Sequence, residues 1–187
     1  MNIILASQSP RRRELLGLLK LPFSVQVADI DETMDPGKPA SAEVARVSRS
    51  KAEAIVCGED DIVIAADTIV VCDNAVLGKP KDEADAFQML KLLSGRSHQV
   101  MTGLTVKRGG HTISCTEITD IRFRNLSDQE ILDYIATKEP MDKAGSYGIQ
   151  GGAAVFAEHL AGDYYNVMGL PVCKLYKILR GMMEEVQ

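Results

Sequence analysis

Residues 62–71, read as IVIAADTIVV, constrain the fold of this chain more than any other stretch. Apolar and mostly β-branched residues surround Asp67 and Thr68, which is typical of a strand buried inside a sheet. An ionised Asp67 is costly there unless its carboxylate is paired, hydrogen-bonded or open to a wet cleft. It can be a structural carboxylate that accepts backbone hydrogen bonds. Because carboxylates at strand ends in α/β sheets often line the ligand crevice, we predict a functional Asp67.

Helical segments alternate with strand-like runs along the chain, which predicts an α/β fold. The spacing of Ser127 and Glu130 predicts a capping box, and Gly109-Gly110 predicts a hairpin turn. The glycine-rich residues 144–152 predict a loop, followed by a strand near residues 154–159. The 187 residues, of which 45% are hydrophobic and 25% charged, suit one globular domain spanning residues 1–187. No apolar run reaches the roughly 20 residues that a membrane helix needs, and the N-terminus lacks a signal-peptide pattern. We therefore expect a cytoplasmic protein without a membrane partner. The four cysteines are widely spread, which predicts buried free thiols rather than a zinc site.

The net charge of -5 and the aromatic content of 5% make nucleic acid a poor partner. A nucleic-acid-binding protein needs a long basic face, and the cations of this chain are instead gathered in short clusters. We therefore expect a small anionic ligand.

Lys51 lies within a predicted helix over residues 41–57, for which Ser41 is a suitable N-cap. The apolar stripe of this helix contains Val44, Val47 and Ile55, and Lys51 falls in the middle of it. Arg46, Arg49 and Glu53 fall on the opposite face, which we expect to face solvent. Two interpretations of Lys51 remain open. In one, the aliphatic part of the side chain packs on the core while the ammonium group reaches water. In the other, the ammonium group points into a cleft beside the core.

Residues 7–13, read as SQSPRRR, stand where a strand passes into a helix. Ser9 before Pro10 predicts the N-cap and first residue of that helix. Hydroxyl groups, backbone N–H groups and the positive helix end favour an anion there, and arginines in a first turn oppose the helix dipole unless one is bound. A solvated basic turn is the alternative. The segment has no Walker P-loop pattern.

Other charged and polar residues lie near predicted strand ends or helix starts. They are Asp31, Glu32, Lys79, Lys81, Asp142, Lys143 and Gln150. In an open α/β sheet such positions can converge on one crevice. A crevice with several cations and two or three carboxylates suits a polyphosphate with a divalent metal, because carboxylates can hold Mg²⁺ or activate water.

Eight motifs occur in order from the first strand to the last helix. They read LASQSPRRRELL, DIDE, SKA, AADTIVV, LGKP, LSGRSHQVMTG, DKAGSYGIQG and GDYYNVMGLP. Together they resemble the Maf family of nucleotide pyrophosphatases. The departures are small, since Asp163 stands where the family more often has Ser and Arg13 occupies a variable position.

The resemblance implies a mixed central sheet flanked by helices, in two lobes around an active-site cleft, as in ITPase-like proteins. It implies hydrolysis of nucleoside triphosphates to the monophosphate and pyrophosphate, a divalent metal (Mg or Mn), a cytoplasmic location and a homodimer. One branch of the family acts on dTTP and UTP, and another on 7-methyl-GTP. The residues at the discriminating positions, Arg11, Thr68 and Gln150, resemble the dTTP/UTP branch.

With this resemblance, Asp67 is the expected general base and Glu32, with Asp67, the expected metal ligand. Arg11, Arg12, Lys51 and Lys79 are expected to neutralise the triphosphate, and Ser7 to hydrogen-bond a phosphate. Thr68 and Gln150 are expected to face the base, because an amide supplies the donor and the acceptor that a pyrimidine edge needs.

Alternative functions are a non-hydrolysing nucleotide-binding regulator of cell division and an enzyme with another base preference, such as 7-methyl-GTP. Modified pyrimidine nucleotides are further candidate substrates. A regulator needs the cations but not the acidic pair, so Asp67 and Glu32 together favour the enzyme.

Overall fold

The computed structural model of the chain describes residues 1–27 and 29–184. The strands are β1 (Ile3–Ala6), β2 (Ser24–Gln26), β3 (Ile62–Cys72), β4 (Ala75–Leu77), β5 (Ser97–Arg108), β6 (His111–Phe123) and β7 (Ala157–Ala161). The α-helices are α1 (Pro10–Gly17), α2 (Ala40–Glu53), α3 (Glu83–Leu93), α4 (Asp128–Ala136), α5 (Tyr164–Met168) and α6 (Val172–Glu184). Short 3₁₀ turns occupy Glu139–Asp142, Ala144–Ser146 and Gly152–Val155.

The strands form a seven-stranded mixed sheet in the order β2-β1-β3-β5-β6-β7, with β4 paired to β3. β1 runs parallel to both β2 and β3, so Leu5 lies opposite Val25 on one side and opposite Ile64 on the other. β4 pairs antiparallel with β3, and β7 pairs antiparallel with β6. The prediction of an α/β fold with a mixed sheet and flanking helices is confirmed. Among the described residues, no helix is long and apolar enough to cross a bilayer.

The chain divides into two compact units, and three strands, β3, β5 and β6, contribute residues to both. The first unit comprises Met1–Asp67, Thr102–Glu117 and Gly169–Gln187. One core cluster of this unit is formed by residues of β1, β3 and the end of α2, namely Ile4, Ala6, Ala52, Ile55, Val63 and Ala65. Because side chains alternate along a strand, Asp67 shares the face of Val63 and Ala65 that packs against α2.

The second unit comprises Thr68–Met101 and Ile118–Met168. Its core gathers apolar side chains of α3, α4 and the strands around Phe123. The ring of Phe123 makes edge-to-face contacts with His98, Tyr147 and Phe156 at centroid distances of 4.9, 4.8 and 5.9 Å. Such aromatic pairs add to the stabilisation that buried apolar area provides.

Of the three serines predicted to cap helices, two are confirmed and one is wrong. The Ser9 side chain accepts a hydrogen bond from the Arg12 amide, and Ser127 forms a full capping box with Glu130. α2 instead begins at Ala40 after Pro39, and no side chain among residues 1–27 and 29–184 caps it. Ser41 lies inside the helix.

Other element predictions need correction. α2 ends at Glu53 rather than near Cys57, where the Ile55 amide donates to the Ala52 carbonyl three residues back instead of four. The predicted loop over residues 144–152 contains 3₁₀ turns, and the last strand begins at Ala157 instead of Ala154.

The prediction of buried free thiols holds for one of the four cysteines. Cys72 is buried, Cys57 and Cys115 are half-buried, and Cys173 is exposed. All four are free thiols.

Candidate active site

Lys51 and Asp67 form the centre of the candidate site in the first unit. Lys51 Nζ donates to Asp67 Oδ1 at 2.7 Å, and the two side chains are only 12% and 13% exposed. Lys51 lies on the buried face of α2, one turn before Ile55, and therefore meets the face of β3 from which Asp67 projects. The Lys51 ammonium group is thus bound by protein carboxylates at a largely buried position.

Glu32 completes a carboxylate pair around the same ammonium group. Its Oε1 lies 3.0 Å from Lys51 Nζ, and its side chain is 57% exposed. The site thus combines the largely buried carboxylate of Asp67 with the largely exposed carboxylate of Glu32. This combination can hold a charged ligand at the border between the sheet and water.

The junction between β1 and α1 forms a second polar cluster in the first unit. Ser7 Oγ accepts hydrogen bonds from the Ser9 amide at 3.2 Å and from Arg12 Nη1 at 3.3 Å. Both bonds use the oxygen as acceptor, so neither uses the Ser7 hydroxyl proton. These two bonds hold the hydroxyl group in place and leave its proton available for donation to a phosphate oxygen.

Arg12 connects this junction to the rest of the first unit. Its Nε donates to the Gly169 carbonyl at 2.7 Å. Burial lowers the pKa of Arg12 from its ordinary value, whereas nearby Asp67 and Glu32 raise it. Because an arginine stays protonated throughout the physiological range, a full positive charge stands near the two carboxylates. Arg11 is half-buried beside it.

The other three predicted site residues, Thr68, Lys79 and Gln150, belong to the second unit. Thr68 follows Asp67 in β3 and is half-buried, whereas Lys79 and Gln150 are exposed. Their segments are held by backbone bonds within that unit. The Gly145 amide donates to the Gly78 carbonyl, next to Lys79, at 3.0 Å.

Gln150 lies in a turn that the Gly151 amide closes by donating to the Gly148 carbonyl at 3.0 Å. Glu139 supports this turn, because its Oε2 accepts from the Gly152 amide at 3.0 Å and its Oε1 accepts from Tyr134 Oη at 3.1 Å. The turn is therefore anchored by side chains that no sequence pattern singled out.

The residues present fit a divalent metal that is held jointly by protein and substrate. Within the described part of the chain, no group of three or more His, Cys, Asp or Glu side chains can enclose a metal ion. Glu32 and Asp67 nevertheless converge on one nitrogen, and Mg²⁺ is usually bound by one or two carboxylates together with substrate phosphates and water. A carboxylate pair is therefore sufficient for such an ion.

Comparison with known proteins decides the family. The model of the family described as "Maf-like protein" matches residues 2–182. The chain belongs to the Maf family. This Maf protein is 48% identical over 180 residues to a "dTTP/UTP pyrophosphatase" of Bacillus cytotoxicus, covering 96% of this chain and 94% of that one. It is 44% identical over 186 residues to the protein of the same name from Bacillus mycoides, covering 99% and 97%.

A solved structure supports the fold of this Maf protein. A HAM1 protein from Coxiella burnetii has a TM-score of 0.53 and 16% sequence identity, covering 97% of this chain and 99% of that one. At this identity the likeness shows a shared fold alone.

Sequence reasoning missed residues that hold the site of this Maf protein together. Gly169 binds Arg12 through its carbonyl, a role that no side-chain pattern can reveal. Glu43 is a buried polar residue on α2, four residues before Val47 and eight before Lys51. A charged residue in the apolar stripe was the signal that singled out Lys51, and the same signal marks Glu43.

Proposed function

We propose that this protein is a nucleoside triphosphate pyrophosphatase that hydrolyses dTTP and UTP to the nucleoside monophosphate and pyrophosphate. The observation that carries the proposal is the Asp67–Lys51–Glu32 cluster, in which a core carboxylate is held at 2.7 Å by a lysine that also binds a second carboxylate. The names of the Bacillus relatives support the choice of substrate.

Asp67 is the proposed general base. The water oxygen bonds to phosphorus, the α–β phosphoanhydride bond breaks, and the water proton passes to the Asp67 carboxylate. Lys51 holds Oδ1, which fixes the orientation of the carboxylate. A rigid position is an advantage because proton transfer requires a base within hydrogen-bond reach of the attacking water.

Arg12, Arg11 and Lys51 supply positive charge for the triphosphate and for the charge that develops on the leaving pyrophosphate. Ser7 donates its hydroxyl proton to a phosphate oxygen. Lys79 of the second unit has the same proposed role as the arginines, which rests on the family resemblance.

Glu32 and Asp67 are the proposed ligands of Mg²⁺ or Mn²⁺. When bound, such an ion neutralises phosphate charge and polarises the reacting phosphoryl group. The exposed position of Glu32 suits an ion that arrives with the substrate.

Thr68 and Gln150 are the proposed contacts to the base, and Arg11 is the third position that favours dTTP and UTP. The amide of Gln150 offers both a donor and an acceptor to the O4 and N3–H edge of a pyrimidine. We further propose that the chain is a single Maf-type domain and acts as a cytoplasmic homodimer without nucleic-acid or membrane partners.

The test is a substrate panel with Asp67→Asn. The purified protein is incubated with each common NTP and dNTP and with Mg²⁺ or Mn²⁺, and the products are separated by chromatography. We expect monophosphate and pyrophosphate from dTTP and UTP, and a fall in kcat of at least about 100-fold in Asp67→Asn with KM little changed.

A matched control is Asp128→Asn, because exposed Asp128 also accepts from a lysine, Lys91, at 2.7 Å. This variant should keep wild-type kcat. Near-normal turnover in Asp67→Asn would exclude the general base. Hydrolysis of purines alone would overturn the base contacts, and nucleotide binding without turnover would favour the regulator.

A further inference from the structure

Glu43 and Arg46 form an ion pair that is anchored in the first turns of α2. The Glu43 side chain is only 3% exposed, and the Arg46 guanidinium donates to it from Nε at 3.1 Å and from Nη2 at 2.9 Å. Hydrogen bonds from Arg46 hold the pKa of Glu43 below its ordinary value, so the buried carboxylate is paired as a charge.

This pair also forms hydrogen bonds with the backbone of the segment that carries Glu32. Arg46 Nη2 donates to the Thr33 carbonyl at 2.7 Å, and the Asp35 amide donates to Glu43 Oε2 at 2.9 Å. The two bonds fix the backbone one and three residues after Glu32. Asp31 adds a local turn, because its Oδ1 accepts from the Thr33 amide at 2.8 Å.

Glu32 needs such support because its own side chain is largely exposed to solvent, so packing does little to fix its position. Its Oε1 still lies 3.0 Å from Lys51 Nζ. We infer that Glu43 and Arg46 are positioning residues that anchor the 31–35 segment, so that Glu32 presents its carboxylate beside Lys51 and Asp67. The inference rests on the proposed function, in which Glu32 is a metal ligand.

The competing explanation is a helix ion pair without a role in the site. Another pair on α2 provides the comparison, since Arg49 Nε binds Glu53 Oε1 at 2.7 Å and both side chains are about half exposed. Such surface pairs contribute little to stability. Arg49→Met therefore removes the same kind of charge from the same helix while leaving the 31–35 segment anchored.

The first measurement is amide hydrogen exchange, read by mass spectrometry, in the full-length protein and in Arg46→Met, Glu43→Gln and Arg49→Met. We expect faster exchange in peptides covering residues 31–35 for the first two variants and wild-type exchange for Arg49→Met. Unchanged exchange in both Arg46→Met and Glu43→Gln would overturn the anchor.

The second measurement is Mn²⁺ binding in the presence of dTMP, followed by electron paramagnetic resonance. Loss of residues that orient a metal ligand typically costs 10- to 100-fold in metal affinity. We expect about tenfold weaker binding in Arg46→Met and no change in Arg49→Met. In a Glu32→Gln background, Arg46→Met should add less than about a twofold effect, because the carboxylate that it positions is already gone.

These outcomes separate the inference from the proposed function. If the wild-type protein hydrolyses no nucleotide, the proposed enzymatic function is wrong. Hydrogen exchange and Mn²⁺ affinity would still test whether Glu43 and Arg46 anchor the 31–35 segment. Faster exchange with wild-type Mn²⁺ affinity, full additivity with Glu32→Gln, or no Mn²⁺ binding in the wild type would each overturn the positioning role.

Discussion

His98 is a buried imidazole whose environment disfavours its charged form. Its Nε2 lies 2.8 Å from Tyr147 Oη, and its Nδ1 has no hydrogen-bond partner within the part of the chain that the structure describes. Burial lowers the pKa of His98 from about 6.5 to about 4. The unfolded chain therefore binds the extra proton between these pH values while the folded protein does not.

The sign of the effect follows from this difference. The stabilisation is fully present above pH 6.5 and is lost as the pH falls towards 4, at a cost of about 2 kcal/mol by pH 5. Chemical unfolding at pH 7 and pH 5 should show a smaller decrease in the unfolding free energy for His98→Gln than for the wild type. His159→Gln removes an exposed histidine and should behave as wild type, and an equal decrease in His98→Gln would contradict the prediction.

At this scale the sequence identified Asp67 and Lys51 because each breaks an apolar pattern. Their mutual contact follows from two periodicities, since the alternation of β3 and the turn of α2 bring both side chains to one interface. The Arg12–Gly169 bond was beyond prediction, because it joins a side chain to a backbone carbonyl 157 positions away.

At the scale of elements, two of the three serines that were predicted as caps provide a direct test. Ser127 Oγ accepts from the Glu130 amide at 3.3 Å, and Glu130 Oε2 accepts from the Ser127 amide at 2.9 Å. We expect Ser127→Ala to lower the unfolding free energy by about 1 kcal/mol.

Ser41→Ala is the matched control, because Ser41 lies within α2 instead of capping it. Its substitution should leave stability unchanged or raise it by about 0.5 kcal/mol, since alanine has the higher helix propensity. Thermal and urea unfolding of both variants would measure the difference. Equal losses in the two variants would mean that Ser41 caps α2 in solution.

The long, periodic elements were predictable, whereas the 3₁₀ turns and the five-residue helix α5 were not. The β-branched composition of residues 62–71 predicts β3. The Gly109–Gly110 pair predicts the turn between β5 and β6. The 3₁₀ turns have too few residues to display a period. α5 lies in the segment GDYYNVMG, where glycines at both ends obscure a helix of five residues.

At the scale of the whole molecule, the first unit is assembled from three separate stretches of chain. A ligand held by Arg12, Lys51 and Asp67 would join α1, α2 and β3 of the first stretch, Met1–Asp67, and should therefore raise the stability of the protein. Ligand at 100 times its dissociation constant contributes about 2.7 kcal/mol.

This linkage can be measured in Asp67→Asn, which should bind nucleotide without consuming it. We expect dTTP or UTP with Mg²⁺ to raise its melting temperature more than the same concentration of GTP does. Arg12→Met in the same background should reduce the rise. An equal rise with all nucleotides would contradict the pyrimidine preference.

The bond between Arg12 and Gly169 also has a consequence for protein synthesis. Domains usually begin to fold while the ribosome is still adding residues. Here Arg12 is synthesised early, whereas its partner Gly169 is added only after all residues of the second unit. A nascent or prematurely terminated chain that ends before Gly169 would lack this bond. Incomplete products are therefore expected to lack the fixed Arg12 guanidinium that the proposed site requires.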